Sequence, residues 1–341
     1  MALNFPAVKI VEPSFKEPEL FIQFQQASGY VALLEGEKIR VRLAEDDLVV
    51  YAKQLNIRTK IMGSQATANE LPGVDISANL FNTNTYQFRS RAQYDHHDVA
   101  AGARWAVAVP EAYRLGLRQA HFQQARDIAL FGMQPQYGEG FLNAPGSFAV
   151  NLPPDQYGNT TIQTYDNGQM AFFLANQVGL IKQRTLQLGI GRRFVFLGPQ
   201  RSMLQFEYNI VSLTQYQRTG AGTASTVEVL KAILLANDDE LVWAYDDTLQ
   251  GAGGSANADV IIIAMPEVEV PAGPDALNTN VFATLQPNNP TCLTQYSDMA
   301  APREIISPLP AGATDVVTEL RLTPGWAPRS AALTILTANY A

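Results

Sequence analysis

Side chains with the chemistry for catalysis or metal binding are sparse in this chain, and their spacing works against both roles. Three acidic runs, Asp46-Asp47, Asp238-Asp239-Glu240 and Asp246-Asp247, have the residue types for a divalent-cation site or a paired general acid and base. Each falls at the boundary of a predicted element, where carboxylates cap and solvate turns, and that is the reading taken. His96-His97 lie between Asp95 and Asp98, again the residue types of a metal site. On a predicted strand end, adjacent side chains point to opposite faces and do not share one ion. The third histidine, His121, has no His or Cys four residues away, and Cys292, just after Asn289-Pro290, has no nearby His to activate it. Phosphate-loop, dinucleotide-fold, GxSxG and HExxH patterns are absent, and Gly189-Ile190-Gly191 is read as a helix stop. The expectation is no catalytic residue, no cofactor and no metal, hence not an enzyme.

Composition sets the class. The chain has 341 residues, room for roughly two domains at ~150 residues each. Apolar residues make up 47% and charged residues only 16%, against ~25% in a typical soluble domain. Gln, Asn, Ser and Thr take the place of charge, which suits a surface that faces other protein. The 17 Arg outnumber the 7 Lys, and Arg is the cation favoured at interfaces. Net charge is −8 and the pI about 5.0. A nucleic-acid grip needs a concentrated basic patch, yet the densest pair is Arg192-Arg193. A single Cys excludes an intrachain disulfide and a thiolate metal cage. Pro6, Lys9, Glu12 and Pro13 interrupt the stretch where a secretion signal needs an apolar run, and the longest apolar run, near Val260–Met265, is far short of the ~20 residues of a membrane span. A protein kept in a reducing cytoplasm, with no membrane partner, is expected.

Residues 1–48 carry Pro6, Pro13 and Pro18 among isolated apolar residues and are expected to form an extended arm. Period-2 alternation marks two strands, one in Leu55–Met62 (with Arg58 and Lys60 between apolar residues) and one in Thr85–Tyr94 (Tyr86, Phe88, Ala92 and Tyr94 against Gln87, Arg89, Arg91 and Gln93). They are expected to pair as one hairpin of ~30 Å at ~3.3 Å per residue. It would be apolar on one face and basic on the other, with Arg58, Lys60, Tyr86, Phe88, Arg89 and Arg91 forming an interface. A lone two-stranded hairpin is marginal in water and needs a surface. A long helix is predicted over 109–133, opened by Pro110 and Glu111 and stopped by Pro135.

Helices and strands then alternate. A stripe through Met170, Leu174, Gln177, Val178, Ile181, Thr185 and Leu188 predicts a helix over Thr164–Leu188. Arg193–Leu197 reads as a strand, Pro199 opens a helix, and Ser225 with Glu228 forms a capping box for a helix through Ala236. Strands are predicted at Leu241–Tyr245, Val260–Met265, Val316–Leu322 and Leu333–Asn339.

After the long helix stands Gly138-Glu-Gly-Phe-Leu-Asn-Ala-Pro-Gly146, in which Gly138, Gly140 and Gly146 permit a sharp reversal while Phe141 and Leu142 plug a core beside Asn143 and Pro145. This segment is similar to the Gly-Leu-Leu-Asn-x-Pro-Gly turn of tailed-phage major capsid proteins. The ending, Leu322-Thr-Pro-Gly-Trp-Ala-Pro-Arg-Ser-Ala-Ala and a strand, also resembles theirs. The order of parts resembles the Hong Kong 97-type capsid fold, an α+β fold shared with encapsulins.

The resemblance implies an N-terminal arm over 1–48, an extended loop over 49–98, a peripheral domain over 99–150 and 271–341 with a spine helix at 109–133, and an axial domain over 151–270. It implies a structural protein assembling into pentamers and hexamers of an icosahedral phage head, a virion shell around double-stranded DNA that it contacts non-specifically. Because Met1 runs directly into the arm, a separate scaffolding protein is expected, with a portal and a decoration protein as further partners. Some relatives cross-link a loop Lys; Lys60 lies in the corresponding loop, but no Asn or Glu partner is identified. Alternatives from the same residues are an encapsulin-like nanocompartment shell, a small hydrolase using an acidic pair, and a trimeric attachment or tail protein.

Overall fold

Among the described residues, β-branched and aromatic residues in alternating runs fold into two mixed sheets and two two-stranded ribbons, one long and one short. The computed structural model describes residues 28–58, 75–104, 107–155, 157–165, 167–185, 192–208, 210–211, 224–268 and 290–340. In chain order the strands are β1 Arg40–Val41, β2 Val49–Arg58, β3 Asp75–Asn84, β4 Tyr86–Tyr94, β5 Phe148–Asn151, β6 Arg193–Gly198, β7 Ile210–Val211, β8 Ala224–Ser225, β9 Glu240–Tyr245, β10 Ala258–Ala264, β11 Tyr296–Ser297, β12 Arg303–Pro308, β13 Thr314–Leu322 and β14 Leu333–Asn339. The helices are α1 His96–Arg104, α2 Val109–Phe131, α3 Asn167–Arg184, α4 Gln200–Tyr208 and α5 Thr226–Leu235.

The first sheet is built around β13. β12 runs antiparallel on one side and β4 antiparallel on the other, with Tyr94 opposite Thr314 and Tyr86 opposite Leu322. β11 and β1 extend it. Val316, Thr318, Leu320 and Leu322 alternate inward, which is why this stretch is so clearly strand-like in sequence. Against that inner face lies α2, ~35 Å long at ~1.5 Å per residue. Pro110 and Glu111 occupy its first turn as expected, but Gly132, at φ +73°, ends it, ahead of Pro135.

The second sheet runs β5-β14-β10-β6-β9. β10 is buried along its whole length, and Ile261, Ile262 and Ile263 are completely enclosed. A strand covered on both faces needs a continuous apolar run, and Val260–Met265 supplies it. α3 and α5 pack on each other beside this sheet. Met170, Leu174, Gln177, Val178 and Ile181 of the expected stripe are all buried. The Ser225–Glu228 capping box forms, with Glu228 N–H donating to Ser225 Oγ and Ser225 N–H to Glu228 Oε2. The end of the chain serves both sheets, since β11 to β13 join the first and β14 the second.

Two expectations are corrected. β2 pairs along its length with β3, from Val49 opposite Asn84 to Arg58 opposite Asp75, and not with Tyr86–Tyr94. Tyr86, Phe88, Arg89 and Arg91 therefore lie on β4, in the body of the same chain. Alternation reports that one face of a strand is buried, but not which strand lies beside it. β4 finds its partner far along the chain: Ser90 and Thr318, facing each other, are 228 positions apart. His96 and His97 open α1 and do not end a strand. Asp95 and Asp98 cap that helix reciprocally, each carboxylate accepting from the other's backbone N–H at 2.8 and 3.2 Å. The Asp98 amide, its main partner, holds the Asp95 carboxyl below the usual range.

Candidate assembly surface

The β2–β3 ribbon stands apart from both sheets. Ten residues per strand give it a reach of ~33 Å at ~3.3 Å per residue. Among the described residues its two strands pair with each other and no further strand joins them. The register puts Tyr51 and Leu80 on one face, 62% and 61% exposed, and Phe81, 40% exposed, on the other, opposite Ala52. Large apolar side chains exposed on both faces of a thin ribbon leave buriable area facing water, worth ~25 cal/mol per Å2 once covered. The root, by contrast, is pinned. Thr85 N–H donates to Leu48 O at 3.0 Å, Thr85 Oγ1 to Asp47 O at 2.5 Å, and Arg321 Nη1 to the same Asp47 carbonyl at 2.6 Å.

The residues singled out in the sequence are scattered by the fold. Arg58 is the last residue of β2, and Lys60 lies outside the described residues. Tyr86 donates its hydroxyl to Glu139 Oε1 at 2.7 Å, and burial with this bond pushes its pKa up to about 12. Phe88 packs against the core. Arg89 pairs with Glu319 at 3.2 Å and Arg91 with Asp315 at 2.7 Å, stitching β4 to β13 on a largely exposed face. Exposed pairs of this kind add little stability. These cations thus meet acidic partners within the chain.

The Gly138–Gly146 turn is brought together as the residue types require. Phe141 is fully buried, Leu142 packs against the core, and the Pro145 ring sits on the Gly138 backbone. Asn143 Nδ2 donates to Phe131 O at 3.0 Å and Glu139 O at 3.2 Å, binding the turn to the end of α2. Gly140, at φ +85°, passes so near the chain that a Cβ there would lie 2.4 Å from Gly132 N. Between Gly138 and Gly140 stands a buried carboxylate that the sequence reading did not single out. Glu139, 8% exposed, accepts from Tyr86 OH and from Asn84 Nδ2 (3.1 Å) through Oε1, and from Gln134 N–H (2.9 Å) through Oε2. A carboxylate between two turn glycines was its only sequence signal.

One or more members of each acidic run hold turns or helix starts or pair with a cation. Asp47 Oδ2 accepts from Ala44 N–H, Asp246 Oδ1 from Thr248 N–H and Oγ1, and Asp247 Oδ1 from Gln200 N–H at the start of α4. Asp239 is buried against Lys182. Among the described residues no group of three or more His, Cys, Asp or Glu is placed to hold a metal ion, and no helix is long and apolar enough to cross a membrane. Cys292 is buried, which raises its thiol pKa to about 12.

No protein-family model matches the chain, and no curated protein matches it. Solved structures do. The capsid of Myoviridae phage XM1 is similar at a TM-score of 0.69 and 10% identity, over 97% of this chain and 99% of that one. The capsid structure of cyanophage P-SCSP1u is similar at 0.58 and 11%, over 96% and 93%. The capsid of an empty GTA particle is similar at 0.54 and 10%, over 96% and 95%. At such identities the likeness is one of fold, and the chain has the α+β Hong Kong 97-type capsid fold.

Proposed function

We propose that this chain is the major capsid protein of a tailed phage, assembling into pentamers and hexamers of an icosahedral head around double-stranded DNA. The observation that carries this reading is the end-to-end likeness to a phage capsid chain, 97% of one against 99% of the other. A likeness that runs the length of both chains fits a shared structural role. The β2–β3 ribbon supports it from within: its exposed Tyr51, Leu80 and Phe81 are suited to lie on an adjacent copy. Repetition over a closed lattice multiplies that burial. In this reading the arm spans 1–48, of which residues 1–27 lie outside the described residues, and the ribbon is the docking part of the 49–98 loop. Residues 99–150 and 271–341 make up the peripheral domain and 151–270 the axial domain. With net charge −8 the wall meets packaged DNA without gripping it. A scaffolding protein, a portal and a decoration protein are the further partners of such a shell, and the virion is its place.

Sedimentation and negative-stain microscopy of the purified full-length protein test the reading. Closed shells of uniform diameter are expected. A species that stays a monomer or small oligomer at every concentration, with or without a scaffolding partner, would count against it. Leu80→Asp with Phe81→Asp tests the ribbon: a folded, soluble chain that builds no shell is expected, and full-size shells from that double variant would remove the ribbon from the contact.

A further inference from the structure

We propose that Glu139 is a positioning residue that holds the β2–β3 ribbon at a single angle to the body, so that its apolar faces are presented in one orientation. The inference rests on the ribbon being the docking element.

The joint is short. Asn84 ends β3 in the ribbon and Tyr86 begins β4 in the first sheet, so the chain changes sheet across Thr85 alone. A one-residue joint has two soft backbone torsions and swivels unless something spans it. Thr85 ties the two ends of the ribbon to each other, N–H to Leu48 O and Oγ1 to Asp47 O, and from the sheet Arg321 Nη1 holds the β2 side at the same Asp47 carbonyl. One anchor permits rotation about itself; a second, displaced from it, removes that freedom. Glu139 supplies the second on the β3 side. Its Oε1 takes a proton donor from the ribbon (Asn84 Nδ2, 3.1 Å) and another from the body (Tyr86 OH, 2.7 Å), while Oε2 is held by Gln134 N–H at 2.9 Å. A single carboxylate thus bridges ribbon, sheet and the segment that follows α2. Being buried, it exchanges these bonds poorly for water, and bonds to a charged acceptor are shorter and stronger than neutral ones. The turn that carries it cannot shift freely, since Gly140 is wedged against Gly132 and Asn143 is bonded to Phe131 O.

The test reads the angle itself. Spin labels on Asn79→Cys in the ribbon and Asn176→Cys on α3, both exposed positions, report one intrachain distance when labelled full-length chain is diluted into unlabelled chain. Buried Cys292 stays unlabelled. Glu139→Gln offers one acceptor oxygen where the carboxylate has two, and Tyr86→Phe removes one donor only. A narrow distance distribution is expected for the parent, a broad one for Glu139→Gln and an intermediate one for Tyr86→Phe. A residue needed merely for folding would lower the melting temperature and leave the distribution narrow, and that result in a folded variant overturns the proposal. Should Glu139→Gln not fold, the width for Tyr86→Phe decides alone. Broadening together with shells of the parent's diameter would uphold the clamp and sink the docking role of the ribbon; an unchanged width would sink the clamp and leave that role standing.

Discussion

His121, set aside as a metal ligand because no partner stood four residues away, has a structural task. It points from α2 into the first sheet, its Nε2 at 3.1 Å from Ser90 Oγ and 2.9 Å from Thr318 Oγ1, and burial holds its pKa below the usual value. The unfolded chain takes up a proton at about pH 6.5 while the folded chain does not, so this residue's contribution is complete above that pH and declines as the pH falls below it. His121→Gln should therefore flatten the loss of stability between about pH 7.5 and about pH 5.5, measured as the parent-minus-variant difference in urea unfolding. Gly140 is the second residue whose role is steric. Gly140→Ala forces a Cβ to 2.4 Å from Gly132 N, whereas a Cβ on Gly158, also at positive φ (+88°), meets nothing within 4 Å. Gly158→Ala should cost only the ~1–2 kcal/mol of the left-handed backbone, and Gly140→Ala distinctly more, read from thermal melts of the two variants.

At the scale of elements, α2, α5, β10, β13 and β14 were legible because each carries its own signal: Pro110 and Glu111 at a start, a Ser225–Glu228 box, an unbroken apolar run, a strict alternation. Pairing was not. Leu55–Met62 and Thr85–Tyr94 alternate alike, yet Leu55–Arg58 of the first belongs to a ribbon and the second to a sheet, because register is chosen by a partner that local sequence does not contain. α1 was missed although Asp95 and Asp98 bracket its first turn, since the two histidines between them drew the reading toward a strand end. The ribbon's independence of the body makes it separable. Val49 faces Asn84 and Leu48 O accepts from Thr85 N–H at 3.0 Å, so its two ends are already adjacent. Replacing residues 50–83 by an Asn-Gly turn should leave the melting transition of the body in place by calorimetry, while sedimentation shows that no shell forms; a collapsed transition would mean that the ribbon is part of the core.

For the molecule as a whole, composition and order of parts carried most of the weight. Sparse charge and an Arg excess suited a surface that faces other protein, while the resemblance of the Gly138–Gly146 turn and of the order of parts to capsid proteins implied the fold, and that fold is the one found. Periodicity and capping are local, encoded within a few residues, so the sequence by itself determined where most of the helices and strands form. Three-dimensional placement is not local. Only the tertiary structure decided that β4 lies against β13, that Arg89 and Arg91 are neutralised within the chain, and that the exposed apolar ribbon is β2–β3. It alone brought Glu139 to Asn84, 55 positions away, because a buried carboxylate's role is set by the donors that the folded chain delivers to it.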